Sequence, residues 1–119
     1  MKIISKELLI DVLGLTEPVH RIEISGNDLH YAHGSHGGDD NHWDKGYSII
    51  NLDTLTRLCK EYTATNGYYI FSGKSGTIMY PWDACVEYYR DFMKFRKKFC
   101  GDSELAIVIK ATEWVRSQV

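Results

Sequence analysis

The chain has 119 residues, 44% hydrophobic and 25% charged, with a net charge of −2 when histidine is neutral. That balance excludes a disordered chain and argues against a protein driven by one global field onto nucleic acid. The length fits one domain, residues 1–119, which can bury a core without disulfides or metal.

The charge is unevenly placed. Residues 1–89 hold 7 basic and 12 acidic residues, and residues 90–119 hold 7 basic and 4 acidic. The cysteines Cys59, Cys85 and Cys100 are odd in number and far apart. They read as reduced thiols, and with no apolar run of membrane length the sequence is expected to be cytoplasmic. MKIISKELLIDVLG lacks the uninterrupted apolar stretch of a signal peptide.

In chain order, SKELLIDVLG predicts a short helix, capped by Ser5 and ended by Gly14, with Leu8, Leu9, Val12 and Leu13 on one face. VHRIEIS alternates and predicts a strand at 19–25. Gly26-Asn27-Asp28 is turn chemistry, and DLHYAH pairs back as a second strand. KGYSIIN is a third strand. Asn51 caps a helix that ends at Asn66-Gly67, its apolar stripe being Leu52, Leu55, Leu58, Cys59 and Tyr62. YYIFSGKSGTIMYPW predicts a hairpin with GKSG at its tip. DACVEYYRDFMKFRKKF, capped by Asp83 and stopped by Gly101, predicts another helix. A last helix starts after Ser103, with Leu105, Val108, Ile109, Thr112 and Val115 inward. The expected fold class is therefore α+β: an antiparallel sheet of about five strands with three to four helices packed mainly on one face.

Four of the five histidines fall within HYAHGSHGGDDNH, residues 30–42. His33, His36 and His42, with one of Asp39, Asp40 or Asp44, match the donor set that zinc prefers. Asp40 is taken as the fourth ligand. The glycines would let a loop wrap an ion. A metal-binding protein, or a hydrolase built on the metal, is one reading of this loop. A solvated polar hairpin loop is the other, because His30 and His33 point to opposite sides if both lie on a strand.

SGKSGT falls short of a phosphate-binding loop. Tyr68 stands where the pattern needs glycine, and a strand rather than a helix follows. RDFMKFRKKF is the basic cluster. On a helix, Arg90, Lys94, Lys97 and Lys98 line one side, with aromatic residues between them. That face is a candidate interaction surface and a weak nucleic-acid binder. In YYIF, Tyr68 and Ile70 oppose Tyr69 and Phe71, so both sheet faces carry large apolar groups. The second face must be covered by a helix, pair two copies as a homodimer, or meet a partner. No catalytic constellation is present: there is no nucleophile elbow, and Cys59 and Cys85 sit in apolar patterns.

Three stretches carry a resemblance. ISKELLIDVLG at 4–14, NLDTLTRLCKEYTATNGYYI at 51–70 and SELAIVIKATEWV at 103–115 resemble a group of small uncharacterised bacterial proteins of phage-like or mobile regions. Their opening ISKELL-xxVLG and their closing pattern are matched here, the latter by Glu104, Ala106, Lys110, Ala111 and Trp114. Tyr62 stands where tryptophan is common, and the histidine loop departs from the group. The resemblance implies an accessory protein that binds a macromolecule rather than turning over a substrate, with no catalytic residue.

Overall fold

The computed structural model describes residues 3–34 and 46–119. Their order is α1 (Lys6–Leu13), β1 (Val19–Ser25), β2 (Asp28–His33), β3 (Tyr47–Asn51), α2 (Leu52–Thr65), β4 (Tyr68–Lys74), β5 (Trp82–Arg90), β6 (Met93–Gly101) and α3 (Glu104–Gln118). The fold is α+β. Among the described residues it has three helices and two antiparallel three-stranded sheets, in place of the expected five-stranded sheet. The chain divides into two compact units, Met1–Leu55 and Thr56–Val119.

In the first unit the local chemistry acts as the sequence predicts. The Ser5 hydroxyl accepts the Leu8 amide at 3.1 Å, and Gly14 ends α1 at φ 65°. Leu8 and Leu9 are fully buried. A turn at Gly26-Asn27 joins β1 to β2, and β2 lies between β1 and β3. Pairing slips between Val19 and Arg21, so His20 sits at a bulge, where its Nε2 donates to the Gly34 carbonyl at 2.7 Å. Asn51 opens α2, its side-chain oxygen accepting the amides of Asp53 at 2.9 Å and Thr54 at 3.4 Å.

The second unit contains the largest departure from the sequence reading. Residues 83–99, expected as a helix, form the hairpin β5–β6. The spacing Tyr88, Phe92, Phe95, Phe99 mimics a helical stripe, but the segment is rich in residues that favour strands. Across the strands Tyr88 faces Phe95 directly and their rings stack at 5.6 Å. The two-residue turn is Asp91-Phe92, with φ of 54° and 66°. Both values are positive, as a type I′ hairpin turn demands, yet glycine is missing from the turn, which hides its signal in the sequence. The GKSG tip is corrected as well. Strand β4 runs through Lys74, and 75–81, expected to contain the return strand, is a connection closed by the Ser75 amide on the Pro81 carbonyl at 2.9 Å.

Helix α3 packs on one face of the β4–β5–β6 sheet. Ser103 caps it, accepting the Ala106 amide at 3.2 Å. Val108, Ile109, Thr112 and Val115 are buried, as expected, together with Ile107 and Ala111. Ile70, Ala84 and Val86 are buried in the same unit, and Trp114 meets the rings of Tyr68, Tyr88 and Phe99 within 6.4 Å. At one end of this unit Lys60 Nζ donates to Ser72 Oγ at 2.7 Å, and Ser72 donates to Glu104 at 2.9 Å.

Candidate functional site

Side chains alternate along a strand, so the β4–β5–β6 register sorts the sheet into two faces. Tyr68, Tyr88 and Phe95 share a row, as do Ile70, Val86 and Lys97, and Ser72, Ala84 and Phe99. These rows belong to the α3 side. The opposite face holds Tyr69, Glu87 and Arg96 in one row, Phe71, Cys85 and Lys98 in the next, and Gly73, Asp83 and Cys100 in the third. Tyr89 faces Lys94 at the far end. Tyr69, Phe71 and Tyr89 are 49%, 58% and 67% exposed, so their rings lie open to solvent.

The face is also striped by chemistry. On β4 it presents the rings of Tyr69 and Phe71. On β5 it presents the carboxylates of Asp83 and Glu87. On β6 it presents the cations of Lys94, Arg96 and Lys98. Glu87 pairs with Arg96 at 3.0 Å and Lys94 at 3.4 Å. Lys98 and Asp83 have no ion-pair partner among the described residues. Gly73 leaves a gap beside Phe71, and a Cβ there would meet open space. The result is a shallow depression of about 360 Å³ lined by Phe71, Gly73, Asp83, Cys85 and Lys98.

The residues singled out from sequence are thus partly regrouped. Tyr69 and Phe71 share the exposed face, as their alternation implied, and Lys94 and Lys98 join them. Arg90 and Lys97 do not. The helical side that would have united all four cations is absent, and a strand sends Arg90 and Lys97 to the opposite face. Arg90 lies over the Tyr88 ring at 5.7 Å. Arg96 and Tyr89 belong to the exposed face but fall off the helical line, because that line follows a period of 3.6 instead of 2.

Of the candidate metal ligands, His36, Asp40 and His42 lie outside the described residues. His33 is the last residue of β2, with its Nδ1 against Glu17 Oε2 at 3.0 Å and its Nε2 against Ser48 Oγ at 2.9 Å. Both ring nitrogens are occupied, so an ion at His33 must displace Glu17 or Ser48. Among the described residues no group of three or more His, Cys, Asp and Glu converges as a metal site would require. His30 hydrogen-bonds the Tyr47 hydroxyl through Nδ1. Cys59 is buried, and desolvation pushes its thiol up to about 11, against a smaller opposing effect of its hydrogen bond with Thr112. A thiol held neutral in this way is a poor nucleophile.

No family model, curated protein or solved structure matches the chain. No helix of the described residues is long and apolar enough to cross a membrane.

Proposed function

We propose that the chain acts by macromolecular interaction rather than catalysis, and that the exposed face of the β4–β5–β6 sheet is its contact surface. One observation carries this reading: three exposed aromatic rings, Tyr69, Phe71 and Tyr89, share a face with the cations Lys94, Arg96 and Lys98. Large apolar groups left in water across a continuous sheet face mark a binding surface more often than a structural one. The resemblance of the ends and middle helix to small phage-associated bacterial proteins supports the same reading and the assignment to a mobile-element accessory role.

Site-directed photocrosslinking in cells tests it. A benzophenone side chain at Tyr69 or Tyr89 is expected to trap a discrete macromolecular adduct, and the same group at Arg57, exposed on α2, none. Equal labelling from all three positions, or none from the sheet, would overturn it.

A further inference from the structure

We infer that the macromolecule bound on this face is single-stranded RNA, with one base seated in the depression beside Phe71; the inference rests on the interaction reading above. The three stripes run in the order a nucleotide chain needs. Cations on β6 lie along one margin, carboxylates on β5 along the middle, and rings on β4 along the other margin. Neighbouring strands are about 4.8 Å apart, and residues two apart on a strand are about 7 Å apart. Lys94, Arg96 and Lys98 therefore repeat at about the interval between phosphates of an extended strand. Tyr69 and Phe71 repeat at the same interval across the sheet, where the bases of that strand would fall. Stacking on exposed rings above a cationic track is how single strands are held without a duplex groove.

The depression sharpens the fit. Phe71 supplies a flat apolar wall, Gly73 leaves the space, and Lys98, with no ion-pair partner among the described residues, stands ready to meet phosphate. Two carboxylates lie on this face; Glu87 is taken up by Lys94 and Arg96, which leaves Asp83 as the awkward group for an anion. A carboxylate accepts hydrogen bonds only. Placed between the phosphate margin and the base margin, it meets the ribose, and a 2′-hydroxyl can donate to it where a deoxyribose cannot. That selects RNA over DNA.

Fluorescence anisotropy with a labelled twelve-nucleotide RNA of mixed sequence, on the full chain, tests the proposal. Binding is expected in the micromolar range at low salt. The logarithm of affinity should fall against the logarithm of salt with a slope of about −1, close to the one phosphate contact of Lys98 at about −0.7, because Glu87 already pairs with Lys94 and Arg96. The DNA of the same sequence should bind severalfold more weakly. Phe71→Ala and Lys98→Glu should each weaken RNA about tenfold, and only Lys98→Glu should flatten the salt slope. Gly73→Leu should weaken it severalfold by filling the depression, with an unchanged melting temperature, since a side chain there meets open space. No binding at millimolar protein, affinity indifferent to these three changes, or DNA bound as tightly as RNA would overturn the proposal. If nuclease leaves the crosslinked adducts at Tyr69 and Tyr89 intact, the RNA inference fails while the interaction reading stands; if no adduct forms, both fail.

Discussion

Phe71 and Lys98 stand on the two outer strands of one sheet, on the same face, separated only by Cys85 of the central strand. They are 27 positions apart in the sequence. An apolar ring and an ammonium are brought within about two strand spacings of one another, roughly 10 Å. That juxtaposition depends entirely on residues 82–101 forming a hairpin. A helix there would have carried Lys98 away from Phe71.

The hairpin turn itself should be improvable. Phe92 adopts φ 66° and is fully exposed, so its side chain gains nothing from packing while its backbone is held in the left-handed region. The strain in that region is about 1–2 kcal/mol for a residue with a Cβ. Phe92→Gly is therefore expected to stabilise the protein by about 1 kcal/mol and to raise the melting temperature by a few degrees. A lower melting temperature would mean that Phe92 packs in solution or that the turn has a different form.

Gly101 is constrained by space. A Cβ at this position would come within 2.7 Å of the Ile107 side chain at the start of α3. Ile107 is buried, so it has little room to yield. Gly101→Ala should cost about 1–3 kcal/mol in a denaturant titration, in the range of other overpacking changes. Ile107→Leu, which lacks the clashing Cγ2 methyl, should lower the cost of Gly101→Ala in its background, a coupling that a purely conformational effect of the glycine would not show.

Cys59 and Cys100 should differ sharply toward an alkylating reagent. Cys59 is buried with its thiol pushed up to about 11, and Cys100 is exposed on β6. Cys100 should react in native protein at pH 8, and Cys59 only after unfolding. Linkage gives a second reading. The folded chain keeps the Cys59 proton above pH 9.0, where the unfolded chain releases it. The unfolded state then binds fewer protons, so stability falls as pH rises, by about 1 kcal/mol per unit between pH 9 and 11. The wild type should lose stability faster over that window than Cys59→Ala; parallel curves would place the thiol in contact with water.

Much of the fold is readable from local chemistry. Ser5, Gly14, Asn51 and Ser103 act at helix ends as their residue types demand, and the first three strands form where the sequence places them. The failure at residues 83–99 has a physical origin. Tyr88, Phe92, Phe95 and Phe99 satisfy the helical period, and the same segment satisfies the strand period through Ala84, Val86 and Tyr88. Only tertiary contact decides between them, namely the packing of Tyr88 and Phe99 against Trp114 of α3. The candidate surface inherits that ambiguity. Tyr69 and Phe71 are legible because their strand pattern is unambiguous. A helical period applied to β5 and β6 groups Arg90 and Lys97 with the surface and leaves Arg96 and Tyr89 off it. The depression at Gly73 depends on pairing between distant strands, which no local pattern announces.

The central claim is best tested by a nuclear magnetic resonance titration of the isotopically labelled chain with the twelve-nucleotide RNA. Binding on the exposed sheet face should shift the backbone resonances of Tyr69, Phe71, Gly73, Cys85, Arg96 and Lys98 together, and should leave Ile107, Ala111 and Val115 of α3 in place. Shifts centred on α3 or on Met1–Leu55, or no shifts at all, would contradict it.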